Sequence, residues 1–505
     1  MNTWHCWPIR CDAWLNERTN ETDNALAEIW THRDLTMDFI LSDLKKGSTA
    51  HLVGIGGAGM SAIATVLLQM GYRVEGSDLK ESANVQRLRN LGAVVGIGHR
   101  TDNLGSAKVV ISSSAVLPDN PEILEARRLG IPLISRARML SEIMATRKGI
   151  AVAGTHGKTT TSSLITQMLL GCGADPSFLI GGELNEIGSN AHYSSGEYLV
   201  AEADESDGSL LLLRPEYTVL TNVEWDHPDY FDSVEHTERI FREFLELLPS
   251  NGFAVICGDD PHARGVGLDF KLEGGTALFY GQGNENDYHI EGVSTGSDGC
   301  GYTAFYRGSD LGRVETRILG MHNVYNSLAA LAVGHQLGFP IGAAIAGIGK
   351  FQGVRRRFEL VGTHNGVRVF DDYAHHPTEV KAVLDLASAI APERVVAVFQ
   401  PHRYTRTREL AAAYGPSFAG ADLVVVTDIY GAGEEPEPGV SGRLVADSIQ
   451  ERYPEKQLLY VASRAELAGA VVPLLRDRDM VITMGAGDVT NCAREILEIL
   501  AVNRT

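Results

Sequence analysis

A phosphate-binding loop is predicted at residues 154–161, which read GTHGKTTT and follow the apolar run GIAVA. Gly154 and Gly157 allow backbone N–H groups to approach phosphate oxygens, and the helix that follows presents its positive N-terminal end to them. Lys158 supplies a mobile positive charge for the β- and γ-phosphates, and Thr159 has the position of a magnesium-binding hydroxyl. These residue types in this order predict a nucleoside triphosphate site.

The loop departs from the strict P-loop pattern at one position. The pattern GxxxxGK[ST] places a glycine five residues before the second glycine, where this chain has Val152. The remaining loop residues are Thr155, His156 and Thr160, and we expect all three to lie against the triphosphate. The alternative is an ordinary glycine turn between a strand and a helix, in which the lysine occurs by chance.

Acidic and imidazole side chains that could hold a metal ion follow two later strands. The segment AEADESD comes after the strand YLV, and VEWDHPD ends the strand after it. The candidates are Glu202, Asp204, Glu205, Asp207, Glu224, Asp226, His227 and Asp229. Proteins bind Mg²⁺ through a few carboxylates together with substrate phosphates, so two such clusters beside a phosphate loop predict a magnesium site. For each carboxylate alone, the alternative is a solvated acidic turn.

A second glycine motif, GIGGAGM, follows an earlier strand and precedes the helical segment SAIATVLLQMG. Its glycines are Gly54, Gly56, Gly57 and Gly59, and Asp78 follows the next strand. This spacing is typical of dinucleotide-binding folds, in which the carboxylate binds a ribose hydroxyl. A nucleotide diphosphate other than NAD would satisfy the same backbone amides. The motif therefore predicts a pyrophosphate site and leaves the identity of its ligand open.

The elements that must position these residues are short β-branched strands alternating with helices, which predict parallel sheets. We predict an N-terminal extension over 1–45, a Rossmann-like domain over 46–147, a central P-loop ATPase-type α/β domain over 148–351 and a C-terminal Rossmann-like α/β domain over 352–505. The glycine-rich stretch from about 270 to 318 predicts antiparallel strands. Ligands of open α/β sheets bind at the carboxyl ends of the strands, so we expect the sites there.

Composition excludes several classes of protein. The 505 residues carry a net charge of −20, which argues against a general surface for nucleic acid or anionic membrane. The six cysteines are scattered without a CxxC pair, and no apolar run reaches membrane-spanning length. We therefore expect a reduced, cytoplasmic protein without membrane insertion. Met37 lies shortly before the first predicted strand and is a candidate start of translation.

Ten ordered sequence blocks between about residues 47 and 495 resemble the Mur ligases of peptidoglycan synthesis. They are GIGGAGMSAIA, GTHGKTTT, EADESDGSLL, NVEWDHPDYF, GMHNVYNSLAA, GVRRRFE, DDYAHHPTE, FQPHRYTRT, DIYGAGE and GAGD. The resemblance implies that ATP phosphorylates a substrate carboxylate and that the amine of an amino acid then displaces the phosphate. It also implies that the first domain binds a UDP-sugar, so that its glycine motif is not an NAD site.

The resemblance also assigns the metal and nucleotide contacts. It implies that Thr159 and Glu202 hold one Mg²⁺, with Mn²⁺ as an alternative ion. His227 would reach a second metal ion between the γ-phosphate and the substrate carboxylate, and a capping role is the alternative for this histidine. Asn323, together with the preceding histidine, would contact adenine, and Asp372 would hold the ribose. Lys158, Glu202 and His227 are thus the expected catalytic residues.

In the third domain, the resemblance assigns Tyr373, His375, Arg403 and Arg406 to the incoming amino acid and the acyl phosphate. Arginine suits this role because its planar fork binds a carboxylate through two hydrogen bonds. The alternative for FQPHRYTRT is a solvated basic loop. The triple arginine at 355–357 lies at the predicted domain junction, where it could contact nucleotide or pair with acidic neighbours.

The blocks favour one reaction within the family, the joining of L-alanine to UDP-N-acetylmuramate. The alternative is a family member that joins an intact tripeptide to the same sugar nucleotide. Two alternatives from other classes are an NAD-dependent oxidoreductase with a separate ATP module and a non-catalytic nucleotide-binding scaffold. We expect a monomer or a weak dimer.

Overall fold

The computed structural model describes residues 39–502, except positions 114, 186, 297 and 392. Met37 and most of the predicted extension therefore lie outside the described residues. The described chain divides into two compact units between Met139 and Leu140. The first unit contains one sheet, and the second contains the central and C-terminal sheets.

The first unit is a five-stranded parallel sheet with connecting helices. Its strands are β1 Thr49–Val53, β2 Arg73–Asp78, β3 Val94–Ile97, β4 Ala107–Ser112 and β5 Leu133–Ser135. The helices that begin in it are α1 Ala58–Gln69, α2 Ala83–Asn90, α3 Pro121–Leu129 and α4 Arg136–Met144. The strand order is β3-β2-β1-β4-β5, and the glycine motif follows β1, where the direction of winding reverses. Open α/β sheets bind nucleotides at this reversal point.

The central sheet has ten strands. They are β6 Lys148–Ala153, β7 Ser177–Leu184, β8 Ser189–His192, β9 Tyr198–Glu202, β10 Tyr217–Leu220, β11 Phe253–Cys257, β12 Ala277–Gly281, β13 Tyr288–Thr295, β14 Cys300–Tyr306 and β15 Ser309–Thr316. Its helices are α5 Lys158–Gly171, α6 Val234–Glu246, α7 Pro261–Leu272, α8 Met321–Gln336 and α9 Ile341–Ile348. The order is β15-β14-β13-β12-β11-β10-β6-β9-β7-β8. Since β6 lies between β10 and β9, the phosphate loop and both acidic clusters follow three adjacent strands.

The predicted antiparallel segment is present but begins later than expected. Strands β13, β14 and β15 pair in antiparallel fashion, whereas β12 pairs in parallel with β11. The residues from 270 to 281 therefore belong to the end of α7 and to the parallel part of the sheet. Gly274 ends the helix with a positive φ, which explains why glycine enrichment starts before the antiparallel strands do.

The C-terminal sheet has six strands. They are β16 Glu359–His364, β17 Val367–Asp372, β18 Arg394–Phe399, β19 Leu423–Thr427, β20 Gln457–Val461 and β21 Asp479–Met484. Its helices are α10 Pro377–Ile390, α11 Tyr404–Ser417, α12 Arg443–Arg452, α13 Leu467–Val471 and α14 Thr490–Val502. The order is β16-β17-β21-β18-β19-β20, and only the edge strand β16 is antiparallel among these described strands. Strands β19 and β21 are buried along their whole length because helices cover both faces of the sheet.

Helix α5 fixes the end of the phosphate loop and is buried over most of its length. Its polar residues are tolerated because Ser162, Ser163 and Thr166 donate hydroxyl hydrogen bonds to carbonyls four residues earlier. At its far end, Gly171 packs directly against Gly347 of α9, and a Cβ atom on Gly171 would collide with the neighbouring backbone. Within the described chain, no helix combines the length and the apolar character needed to cross a bilayer.

Candidate active site

The phosphate loop has a backbone conformation that only glycine adopts easily. Gly154 and Gly157 have φ angles of +124° and +81°. A Cβ atom on Gly154 would collide with Thr221 and lie 2.9 Å from the carbonyl oxygen of Asn222. One on Gly157 would lie 2.9 Å from Oδ1 of Asn326. The sequence prediction of a tight loop before a helix is therefore supported by geometry, since α5 begins directly after Gly157.

The loop is held by the segment that follows β10. The backbone N–H of Thr155 donates to the carbonyl of Asn222 at 3.1 Å, and that of His156 donates to Asn222 Oδ1 at 2.8 Å. The Thr155 hydroxyl donates to the Glu224 carbonyl at 3.1 Å. Thr160, in the first turn of α5, is buried. These contacts place the loop and the second acidic cluster side by side.

Lys158 lies inside the loop with a buried carboxylate as its partner. Its Nζ donates to Glu205 Oε1 at 2.8 Å and to the carbonyls of Gly154 and Thr155 at 2.6 and 3.0 Å. Burial alone would lower the pKa of Lys158, but Glu205 and neighbouring carboxylates raise it, so the ammonium stays charged. Burial also raises the pKa of Glu205 to about 7, against the opposing effect of Lys158.

Thr159 and Glu202 form a pair of oxygen donors at the ends of adjacent elements. The Thr159 hydroxyl donates to Glu202 Oε2 at 3.1 Å, and the Gly181 N–H donates to Glu202 Oε1 at 2.6 Å. Burial raises the pKa of Glu202. Two neighbouring ligands of an octahedral Mg²⁺ lie about 3 Å apart. The chemistry and spacing of these two oxygens therefore fit the magnesium ion that the sequence predicts.

His227 offers a nitrogen that the surrounding described residues leave without a hydrogen bond. Its Nε2 lies 3.9 Å from Glu205 Oε1 and 3.7 Å from Asp226 Oδ2, whereas the buried Nδ1 has no partner there. Burial lowers the pKa of His227, which favours the neutral ring that binds metals. The residue has a φ of +53°, an uncommon conformation for a side chain other than glycine. These features fit a ligand of a metal ion.

The predicted arginines of the C-terminal sheet lie against the second acidic cluster. Arg406 is buried and donates two hydrogen bonds to Asp226, and Arg403 donates from Nη1 to Asp229 Oδ2 at 2.7 Å. Burial alone would raise the pKa of Asp226, but Arg406 holds it well below its usual range. The structure thus brings FQPHRYTRT to the same site as the phosphate loop.

Tyr373 and His375 lie between β17 and α10. The guanidinium groups of Arg356 and Arg357 lie 4.9 and 5.1 Å from the centre of the Tyr373 ring. His375 Nδ1 lies 3.0 Å from the Tyr373 carbonyl, which only accepts, so Nδ1 carries the proton and Nε2 is the acceptor of the neutral ring. Burial lowers the pKa of His375 to about 4, so the ring is neutral at pH 7.

The two residues expected to bind the nucleoside are engaged with the protein. Asn323 donates from Nδ2 to the Leu319 carbonyl at 2.7 Å and accepts from Asn326 Nδ2 at 3.1 Å. Asn326 also accepts from the Thr161 hydroxyl at 3.1 Å, which ties the start of α8 to the helix that carries the phosphate loop. Asp372 accepts two backbone N–H bonds, and burial raises its pKa to about 6.

In the first unit, the glycine motif and Asp78 lie in direct contact. Asp78 Oδ2 accepts a hydrogen bond from the Gly56 N–H at 2.8 Å. Gly54 donates to the carbonyl of Ser77, and Gly57 immediately precedes α1. Gly59 lies in the first turn of that helix. Asp78 here shapes the loop itself through a backbone amide.

Three partners in the site were not identified from the sequence. Glu205 and Asp226 were considered only as metal ligands, although they pair with Lys158 and Arg406. Glu379, which accepts from His156 and from the N–H of His375, was not considered at all. No local signal distinguishes Glu205 and Asp226 from their acidic neighbours, because Lys158 and Arg406 lie far away along the chain, and the contact of Glu379 with His156 is equally remote in sequence.

Known proteins match the chain across all three sheets. The family models are "Mur ligase family, catalytic domain" over residues 49–148, "Mur ligase middle domain" over 152–334 and "Mur ligase, glutamate ligase domain" over 356–487. A curated UDP-N-acetylmuramate--L-alanine ligase of Rubrobacter xylanophilus is 48% identical over 450 residues, covering 88% of this chain and 99% of that protein. One of Desulforamulus reducens is 46% identical over 458 residues, covering 90% and 98%.

Solved structures agree with these matches. The UDP-N-acetylmuramate-alanine ligase MurC of Thermotoga maritima is 27% identical with a TM-score of 0.77, and the match covers 90% of this chain and 100% of that one. A murein peptide ligase of Psychrobacter arcticus has the same fold, with 24% identity, a TM-score of 0.68 and coverage of 90% and 99%. The chain therefore belongs to the Mur ligase family.

Proposed function

We propose that this chain is an ATP-dependent ligase that joins L-alanine to the carboxylate of UDP-N-acetylmuramate in peptidoglycan precursor synthesis, and releases ADP and phosphate. Curated relatives that are 44–48% identical carry the name of this activity. The observation that supports it best is the convergence of Lys158, the pair formed by Thr159 and Glu202, and the arginines of α11 within one compact unit.

A carboxylate is a poor acyl donor until it is phosphorylated. The reaction therefore needs a positively charged site that binds the phosphate groups of ATP. Lys158 stabilises the negative charge of the phosphoryl group as it is transferred, because its ammonium is buried and held in the loop. Thr159 and Glu202 would hold Mg²⁺, which supplies further neutralisation of the phosphate charge. His227 would contact a second ion.

The second step needs a bound amino acid with a neutral amine. Arg403 immediately precedes α11 and is partly exposed, so its guanidinium is available to bind the carboxylate of L-alanine in exchange for Asp229. The neutral His375 presents Nε2 as an acceptor of a hydrogen bond from the alanine amino group. Tyr373 and Arg406 border this region. The adenine and ribose contacts assigned to Asn323 and Asp372 remain part of the proposal.

The first unit would bind the UDP group. The loop formed by Gly54, Gly56, Gly57 and Gly59 would bring the N-terminus of α1 close to the pyrophosphate, with Asp78 as the carboxylate that shapes the loop. Since the reaction consumes ATP, we place it in the cytoplasm. A monomer or weak dimer suffices for it.

Two measurements test the proposal. ADP release with UDP-N-acetylmuramate should require L-alanine and should not be supported by a tripeptide, and the opposite preference would contradict the assignment. Oxygen-18 in the muramyl carboxylate should appear in inorganic phosphate, because an acyl phosphate transfers that oxygen. Titration with NAD separates the oxidoreductase alternative, since we expect UDP-N-acetylmuramate to bind and NAD not to bind.

A further inference from the structure

The imidazole of His156, in the phosphate loop, lies between carboxylates from the central and C-terminal sheets. Its Nε2 is 2.9 Å from Glu224 Oε2, which follows β10. Its Nδ1 is 3.2 Å from Glu379 Oε1, in the first turn of α10. Within the second compact unit, the ring therefore joins the ATP-binding loop directly to the element that bears the predicted amino-acid site.

The hydrogen-bond pattern determines the protonation state of this ring. The second oxygen of Glu379 accepts from the backbone N–H of His375 at 3.1 Å, and the second oxygen of Glu224 accepts from the Thr378 hydroxyl at 2.6 Å. Burial alone would raise the pKa of both carboxyls, but their hydrogen bonds and neighbouring charges hold it below the usual range, so both are ionised and act only as acceptors. A neutral imidazole could donate to one of them and would oppose the other with a lone pair. Both ring nitrogens of His156 therefore carry hydrogen.

We propose that His156 is a positioning residue whose imidazolium fastens the phosphate loop to the C-terminal sheet through Glu224 and Glu379, so that ATP binding and amino-acid placement are set together. The proposal rests on the proposed function in taking ATP as the ligand of the loop and an amino acid as the ligand of the C-terminal sheet. A neutral imidazole has one N–H donor, and the added proton on the ring supplies the second. The bridge exists only while that proton is bound.

Other charged groups around the bridge are compatible with this state. The His376 ring lies 4.8 Å from the His156 ring, and its Nδ1 accepts the Thr378 N–H at 3.3 Å, so His376 is neutral with hydrogen on Nε2. The positive charge of Arg357 acts on Glu379 from the side of the C-terminal sheet. Although burial opposes a charge on His156, the two carboxylates raise its pKa to about 9.

The same cluster could in principle hold a metal ion. Single ligand atoms of His156, Glu224 and His376 lie within 4.8 Å of one another. A metal would need a lone pair on His156, however, and both of its nitrogens already face carboxylate oxygens at hydrogen-bond distance. The geometry points to a proton on His156, and the experiment distinguishes a proton from a metal ion.

The experiment measures the dissociation constant of a non-hydrolysable ATP analogue with Mg²⁺ in the full chain, for His156→Gln, Glu379→Gln and the double variant. Each single variant should weaken binding about tenfold or more, because a charged hydrogen bond is lost. The double variant should be little weaker than either single one. Lys381→Gln is the matched control, since it removes an exposed ion pair on the same helix, and it should bind as the parent does.

A second measurement determines the protonation state of His156. Nitrogen-15 spectra of the histidine rings in the analogue complex should show both His156 nitrogens protonated at pH 7.5, and the analogue should bind less tightly as the pH rises through about 9. A neutral His156 at pH 7.5, additive effects in the double variant, or a stoichiometric zinc ion that His376→Ala removes would each overturn the proposal. None of these measurements uses L-alanine, so a failure here differs from a failure of the ligase assignment.

Discussion

Arg406 donates from Nε and Nη2 to the two carboxylate oxygens of Asp226, at 2.8 and 3.1 Å, and both side chains are buried. This pair joins α11 of the C-terminal sheet to the residue that immediately precedes His227. The resemblance to the Mur ligases assigns Arg406 to the amino acid or acyl phosphate. In this structure its guanidinium holds the loop that carries the candidate metal-binding histidine.

Arg406→Met is expected to destabilise the second unit strongly. The substitution leaves the Asp226 carboxylate buried without its partner, which costs about 3–5 kcal/mol. Denaturant unfolding measures this loss. Arg403→Met is the matched control, because its ion pair with Asp229 is partly exposed and contributes about 1 kcal/mol or less. An equal loss in the free energy of unfolding for the two variants would show that the buried pair contributes no more than the exposed one.

Lys158→Ala is expected to reduce the rate of ADP formation by about a thousandfold. The substitution removes the ammonium that stabilises charge on the transferring phosphoryl group. A coupled assay for ADP with saturating UDP-N-acetylmuramate and L-alanine provides the measurement. Lys148→Ala removes an exposed ion pair with Glu197 at the start of β6 and should retain the parent rate. Retention of activity by Lys158→Ala would contradict both the catalytic role and the ligase proposal.

Thr159→Ala is expected to raise the Mg²⁺ concentration needed for half-maximal activity by about tenfold, since it deletes one of two oxygen donors of the ion. Titration of activity with Mg²⁺ gives this value directly. Ser162→Ala serves as the control, because that hydroxyl donates to the Lys158 carbonyl within the same helix. An unchanged Mg²⁺ requirement in Thr159→Ala would exclude this hydroxyl as a ligand.

The stability of the first unit is expected to depend on pH through Glu122. This buried carboxylate accepts from Ser77 Oγ and Asn103 Nδ2, both at 2.6 Å, and lies 3.0 Å from His51 Nε2. Burial alone would raise the pKa of Glu122, but these hydrogen bonds lower it to about 2. The ionised form therefore stabilises the fold by ~3 kcal/mol above pH 4.5, and this stability is lost as the pH falls toward 2.

Hydrogen exchange of the amides of β1 and β4 between pH 6 and pH 3 measures this loss in the full chain. Glu122→Gln should weaken protection at pH 6 and flatten the dependence on pH. Glu125→Gln, on the same helix, is the control, because it removes only an ion pair with the exposed Arg128 and should leave protection near that of the parent. A parallel pH dependence in parent and Glu122→Gln would assign the effect to other groups.

Strands with a mainly apolar run and a glycine or acidic end could be predicted from the sequence. Strands β1, β6, β9 and β10 are of this kind, and the motifs that follow them lie at the predicted sheet edge. The edge strands β8, β16 and β20 were not anticipated. Strands β16 and β20 have almost no fully buried residue, so the alternation that identifies a strand is weak there.

The motifs of the site could be predicted, but the pairing of its side chains could not. Lys158 and Glu205 are 47 residues apart, and Asp226 and Arg406 are 180 residues apart. Each of these carboxylates has acidic neighbours of the same type, and only the folded sheet order selects between them. Such partners meet at the carboxyl ends of adjacent strands. The sequence therefore indicates where the site lies, but not which side chains form ion pairs there.

The direct contact between Gly171 and Gly347 sets the position of the C-terminal end of helix α5 against α9. The contact lies at the opposite end of the helix from Lys158, about 20 Å away along the axis at 1.5 Å per residue. A methyl group added at Gly171 would push the backbones of the two helices apart and change the tilt of α5. We expect this change to weaken nucleotide binding, although it lies far from the phosphate loop.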